Sequence, residues 1–450
     1  MRTIKNSRNP ILPLDIHIPD SEAHVMPDGK LYIYGSYDGY ADAYCSEKYH
    51  VVSTDDMENW SIYDEALNGK DIPWFYDDKA PRYPGFDQNF PTAFMRKMKE
   101  ETPEDDINFV LENEAEKKPL LFAPDCISKA GKYYLYFCMA DDSEGVAVSD
   151  KPQGPFKNPV QLPCGGIDPA VFVDDDGQAY YYWGQFRSHG VKLNPDMMSF
   201  PADEVVDNLL TEEEHFFHEG ASVRKIGDTY YSVYSDMERG RPTALGYATA
   251  PSPLGPFQYR GIIIDNCECD PSSWNNHGSI ECINGQWYVF YHRSSRNSKI
   301  FRRLCIEPIT IRPDGTIEES VMTSQGPGAP FGPGECIMGY QACGLKGKLF
   351  IDIEEQGAYK GKEKLTNISE GDEAVFRYVE SENGFGKITV EAAGTGTIEV
   401  YLDGNLAGTT KIRNGRQISN EIRMAAGIYE LMLRFCEADK MEIYSLALHA

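Results

Sequence analysis

The chain has no run of the ~18 apolar residues that a membrane-spanning helix needs. Its opening, MRTIKNSRNPILPLDIHIPD, carries basic residues but no apolar stretch of the length a signal peptide requires. Positive charge is scarce: 43 lysines and arginines stand against 70 aspartates and glutamates, a net charge of -27. That balance argues against nucleic acid and against an anionic membrane surface, since both need clustered basic residues. A neutral partner such as a sugar meets no such repulsion. Paired cysteines are also missing. Cys267 and Cys269 flank a glutamate, but no second pair at ligand spacing completes a metal site. Others of the eleven cysteines (Cys126, Cys138, Cys282, Cys305) sit inside apolar strand-like runs. This usage suits a reducing compartment, so the expected location is cytoplasmic.

What is present is repetition. DGKLYIYGSYD from Asp28, AGKYYLYFCMAD from Ala130, DGQAYYYWGQF from Asp176, IGDTYYSVYSDM from Ile226 and NGQWYVFYHRS from Asn284 share one plan. Each has a turn glycine followed by alternating aromatic residues, which is a hairpin signature. Each is preceded by a short strand (SEAHVM, DCISKA, PAVFVD, GASVRK, GSIECI). Repetition of a small antiparallel unit predicts an all-β fold, a five-bladed β-propeller over residues 1–330. Copies one and two are further apart than the rest, and residues 61–121 read as an insertion with a charged, helical second half.

In a propeller the innermost strands converge on an axial channel. Eight or nine places before the five glycines stand Asp20, Ala123, Asp168, Glu219 and His277. Singly, each carboxylate reads as a turn cap or a solvated side chain. As a set at equivalent positions they do not, because gathering like charges is costly unless chemistry uses them. Glycosidic bond cleavage needs such a set: one carboxyl that delivers a proton to the leaving oxygen and one that stays ionised to activate water or attack the sugar.

The motifs IPDSEAHV, GIDPAVFVDDDG, HEGASVRKIGDTYY and NNHGSIECINGQWYVFYHR, in this order, resemble glycoside hydrolase family 43 over roughly residues 9 to 330. The resemblance implies an inverting enzyme with Asp20 as general base, Glu219 as general acid and Asp168 orienting the acid and tuning its pKa. It places Ala123 where a small residue leaves room for substrate. Ser21 stands where the family commonly has proline, a change in turn rigidity more than in chemistry. The resemblance also implies a Ca²⁺ on the propeller axis bound by His277. Implied substrates are pentose-containing oligosaccharides, from which terminal α-L-arabinofuranose or β-D-xylose would be released. Trp74, Phe75 and Phe86 of the insertion are candidates to stack on a sugar face or to form the loop's own core, and Arg293 to donate to sugar hydroxyls or to pair with a channel carboxylate. Trp183 and Gln185 are weaker candidates. Two other readings stay open: a sugar-binding propeller without catalysis, and a retaining furanosidase of a related five-bladed clan.

Gly326 to Gly334 is a Pro/Gly-rich boundary. Residues 335–450 beyond it contain short alternating strands, which predict a jelly-roll-like β-sandwich. TIEVYLDGNLAGT and AAGIYELMLRF resemble carbohydrate-binding module family 6. All five tryptophans lie before residue 288, so this module has none, and a structural role is expected over polysaccharide binding.

Overall fold

The turn glycines of the five repeats take φ between 61° and 83°, a left-handed conformation that closes a tight hairpin only at the expense of a side chain. From these turns the computed structural model, which describes residues 1–41, 43–83, 118–355, 361–413 and 418–450, builds five antiparallel blades.

Blade one holds β1 (Arg2–Lys5), β2 (Glu22–Val25), β3 (Leu31–Gly35), β4 (Lys48–Thr54) and β5 (Asn59–Asn68), with β2 innermost and β1 outside β5. Blade two is β6 (Asp125–Lys129), β7 (Lys132–Cys138), β8 (Ser143–Ser149) and β9 (Lys157–Gly165). Blade three has three strands, β10 (Ala170–Val173), β11 (Ala179–Trp183) and β12 (His189–Lys192). Blade four is β13 (Phe217–Ile226), β14 (Thr229–Asp236), β15 (Ala244–Ala250) and β16 (Gln258–Asp265). Blade five is β17 (Ser279–Ile283), β18 (Gln286–Ser295) and β19 (Ser298–Ile309).

The ring closes at blade five. Ile11 N–H donates to the Leu304 carbonyl at 3.0 Å, and the Asn9 side chain brackets Ile306, accepting from its N–H at 2.9 Å and donating to its carbonyl at 3.1 Å. The N-terminal segment thus lies along the outer edge of β19, and Ser21 bridges Gly278 between the innermost strands of blades one and five.

Aromatic residues recur because every blade is covered on both faces by its neighbours. Tyr34, Phe137 and Phe156 fill the space between blades one and two, and Tyr136, Tyr181 and Phe200 that between two and three. Tyr182, Phe217 and Tyr234 do the same between three and four, and Tyr231, Tyr247 and Tyr291 between four and five. Ile11, Trp60, Phe290 and Leu304 pack the closing seam.

The insertion starts later than residue 61. Residues 59–68 pair with β4 on one side and with β1 on the other, and Trp60, Ile62, Ala66 and Leu67 are buried, so they complete blade one. A register shift between Tyr49 and Val51 breaks the regular alternation that would have marked the strand. Residues 84–117, with Phe86 and the expected helix, lie outside the described residues.

The C-terminal domain is a β-sandwich of β20 (Ile337–Met338), β21 (Gly344–Lys346), β22 (Phe350–Ile353), β23 (Glu363–Thr366), β24 (Glu373–Ser381), β25 (Phe385–Leu402), β26 (Asn405–Arg413), β27 (Ile418–Met424) and β28 (Gly427–His449). The long β25 and β28 pair along most of their length and shift register between Glu391 and Thr397, and residues such as Phe376, Ile398, Leu433 and Phe435 form the core. The Pro/Gly segment between the domains is pinned. Ser324 N–H donates to the Arg377 carbonyl at 2.6 Å, Phe331 N–H to that of Tyr378 at 2.8 Å, and Arg8 lies over the Phe331 ring at 4.2 Å.

Candidate active site

The five mouth positions sit just before or at the start of the innermost strands. Asp20 and Asp168, in equivalent turns, both take a left-handed backbone (φ 55° and 58°), which aspartate tolerates better than most residues. Asp20, Asp168, Glu219 and His277 are all buried, and so is Ala123, whose small side chain fills blade two's place.

His277 ties two carboxylates together, with Nδ1 3.6 Å from Asp168 Oδ2 and 4.0 Å from Asp20 Oδ1. Gly220 makes room for it: a Cβ at that position would lie 2.6 Å from His277 Nε2. Burial lowers the pKa of His277 and so favours the neutral ring, against the pull of Asp20 and Glu219.

The acidic groups have different companions. Asp20 Oδ1 accepts from Arg302 Nη1 at 2.8 Å, with His292 Nδ1 at 3.6 Å. Burial would raise its pKa, but Arg302, then His277 and His292, outweigh that and hold it below the ordinary carboxylate value. Arg302 is itself fixed by Asp38, which accepts from Nε at 3.0 Å and Nη2 at 2.9 Å. Asp168 goes the other way. Burial and the neighbouring charges of Glu219 and Asp20 push it well above the ordinary range. Glu219 meets side-chain amides, accepting from Gln185 Nε2 at 2.8 Å and Asn275 Nδ2 at 3.3 Å. A guanidinium favours an anion more strongly than amides do, so the site is electrostatically asymmetric.

Below the mouth, alternate residues of the inner strands continue a polar column. Arg224 Nη2 pairs with Glu22 at 2.7 Å and Nε with Glu281 at 3.3 Å, and Ser222 Oγ donates to Glu22 at 2.8 Å. Glu22, His24 and Asp125 bring one ligand atom each within 4.8 Å of one another, all buried. Burial, with the charge of Asp125, pushes Glu22 up to about 7 against the pull of Arg224 and His24. Three carboxylates around one guanidinium leave an excess of negative charge, and carboxylate oxygens, of which Glu22 and Asp125 each offer one beside His24, are the donors a hard cation prefers.

Two expected substrate contacts are elsewhere. Trp74 is 7% exposed, stacks on Phe137 at 5.9 Å, packs over Gly145 and donates its indole N–H to Ser143 Oγ at 3.0 Å. It belongs to the core between blades one and two, and Phe75 to the same cluster. Arg293 is 4% exposed and bonded to the Tyr291 hydroxyl, the Thr323 carbonyl at 2.6 Å and Glu307 at 3.2 Å. Its ion pair is with a core glutamate, not with a channel carboxylate. Trp183 stacks within blade three on Tyr181 and Phe200. Of the lesser candidates only Gln185 reaches the site. Arg302, Asp38 and Asn275 were not anticipated. The one trace of Arg302 in the sequence is Arg302-Arg303 inside the otherwise apolar run IFRRLCI.

The family description Glycosyl hydrolases family 43 matches residues 109–317. A xylosidase/arabinosidase of Thermoclostridium stercorarium is 32% identical over 356 residues, 72% of this chain and 68% of its own length. A solved family 43 β-xylosidase/α-arabinofuranosidase from a compost microbial metagenome, in complex with xylotriose and in a calcium-free form, shares 31% identity. Its TM-score is 0.54, over 71% of this chain and 99% of that one. An arabinoxylan arabinofuranohydrolase from Bacillus subtilis, 22% identical with a TM-score of 0.51, covers 99% of this chain and 97% of its own, so the propeller-plus-sandwich fold has a counterpart as a whole. Identity sustained over most of the chain, on the same propeller, makes this protein a member of glycosyl hydrolase family 43.

Proposed function

We propose that the chain is an inverting exo-glycosidase that releases terminal α-L-arabinofuranose or β-D-xylose from short arabinoxylan-derived oligosaccharides. The observation that carries this reading is the asymmetry of the site: Asp20 is bound by Arg302, while Glu219 is bound by neutral amides and lies beside Asp168. Relatives named xylosidase/arabinosidase support the substrate class. In this mechanism Asp20, held ionised, takes a proton from water as its oxygen attacks the anomeric carbon. The bond to the leaving oxygen breaks and that oxygen takes the proton of Glu219. Asp168, buried with its protonated form favoured, keeps negative charge from accumulating beside Glu219, and His277 packs against it at 3.6 Å.

A panel of p-nitrophenyl pentosides, with the product anomer read by NMR, tests the reading. Hydrolysis of an arabinofuranoside or xyloside with inversion supports it. Retention, or no pentoside turned over, overturns it.

Glu22, His24 and Asp125 would hold a Ca²⁺ on the axis, where its charge would offset the acidic column. Metal analysis after chelation should show about one equivalent of divalent ion lost, with a lower melting temperature. Glu22→Gln should abolish that loss, and an unchanged protein after verified stripping would remove the cation from this account.

A further inference from the structure

Blade five meets the C-terminal sandwich through a buried charge cluster on the far side of the strand that holds Asp20. Arg302 and Arg303 are consecutive on β19 and point to opposite sides. Arg302 grips Asp20 and Asp38, while Arg303 reaches out of the propeller to Glu363, the first residue of β23 in the sandwich. Glu363 is fully buried, Arg303 is 4% exposed, and Arg296 adds a second guanidinium 3.7 Å from the same carboxylate.

The hairpin tip above this clamp needs it. Arg296 and Asn297 form the two-residue turn between β18 and β19 with φ of 63° and 47°, an unfavourable conformation for arginine. The pairing of β18 with β19 also shifts register between Ser294 and Ser295, beside the Arg302 partner. The turn is held from both sides. Asn297 N–H donates to Asp270 Oδ2 of the propeller at 3.1 Å, while from the sandwich the Ile351 carbonyl accepts from Arg296 N–H at 2.7 Å and Glu363 draws the Arg296 guanidinium. A second line of contact runs the same way. Arg296 covers the Phe301 ring at 4.3 Å, and Phe301 packs on His17 at 5.4 Å. The His17 carbonyl accepts from Asp38 N–H at 3.0 Å, and Asp38 holds Arg302.

We propose that Glu363 of the C-terminal sandwich is a positioning residue for the Asp20 carboxylate, acting through Arg303, the β19 backbone and Arg302. The sandwich thereby contributes to water activation without touching substrate. This rests on Asp20 being the general base.

The test compares Glu363→Gln with Asp20→Asn in the full chain, on an aryl pentoside and on an oligosaccharide. Glu363→Gln should lower kcat between about ten- and a hundredfold with KM within about twofold, as expected for a misplaced catalytic group. The loss should be equal for both leaving groups, and added azide, a nucleophile that needs no base, should restore part of it as glycosyl azide. Since Glu363→Gln leaves two guanidiniums buried and could impair folding, Arg303→Met/Glu363→Met removes the central pair together. This double variant should recover thermal stability but keep the kcat loss and the azide response. Wild-type kcat in the folded double variant, or a Glu363→Gln loss that azide does not relieve, overturns the coupling. A leaving-group-dependent loss in Asp20→Asn overturns the base assignment, and the coupling with it.

Discussion

Asp20 and Glu219 differ by one methylene and by their neighbours, and the neighbours decide how a substitution at each should behave. Glu219→Gln removes the transferable proton, so hydrolysis of oligosaccharides should fall by about 10²–10⁴, the usual contribution of general acid catalysis. An activated aryl leaving group should recover most of that. Asp20→Asn should lose comparably on both substrates, and identical leaving-group profiles for the two variants would refute the roles. Arg302→Met should be at least as damaging to the fold. It leaves Asp20 and Asp38 buried without their counter-charge, which costs about 3–5 kcal/mol on removal of one partner, measurable as a lowered urea midpoint alongside lost activity. At this scale the sequence exposed what the repeats index. Asp20, Ala123, Asp168, Glu219 and His277 occur at fixed distances from the turn glycines, and the fold brings them to one end of one channel. Arg302, Asp38 and Asn275 come from strand ends and loops that no repeat numbers, so only the folded chain shows them. Trp74 takes the second of its two readings, a core residue, because the glycine it packs against, Gly145, lies in another blade and leaves no mark beside it in the sequence.

The elements show how local irregularity serves the site. β13 pairs with β14 in broken register on both sides of Glu219, a bulge of the kind that re-aims side chains next to active sites. Gly220 completes the device, at φ 65° and pressed against His277. Gly220→Ala should therefore strain both the backbone and the imidazole, destabilising by about 1–3 kcal/mol as overpacking does and lowering activity, with denaturant unfolding and kcat as readouts. Full activity and an unmoved midpoint would mean that His277 has room to shift. Hairpins were the most legible elements, because turn chemistry and two-sided burial both leave marks in the sequence. β5 and the N-terminal segment along β19 were less so. The first is interrupted by a register shift, and the second completes a blade that lies some 300 residues away along the chain.

At the scale of the molecule, the two domains share contacts that neither could satisfy alone. Ending the chain near Pro330 would uncover Arg303 and Arg296 and leave the N–H groups of Ser324 and Gln325 without the Arg377 carbonyl that now accepts from both. The truncated propeller should aggregate or melt at lower temperature, with a soluble, equally heat-stable product as the contrary result. The isolated sandwich, without tryptophan, should migrate unretarded through a xylan-containing gel. Two domains were evident from the Pro/Gly boundary, but the tightness of their union was not, since its ion pairs join residues as far apart as Arg303 and Glu363 or Arg8 and Glu335. The seam at blade five has a kinetic meaning as well. Residues 9–11 leave the ribosome well ahead of their partners at 304–306, which emerge only after four blades have been made. Loop closure over that span is slow, so a nascent chain carries an open ring with one uncovered β-edge until blade five leaves the ribosome. That edge is the place where a chaperone has most to shield, and where an unfinished copy would join a neighbour instead of itself.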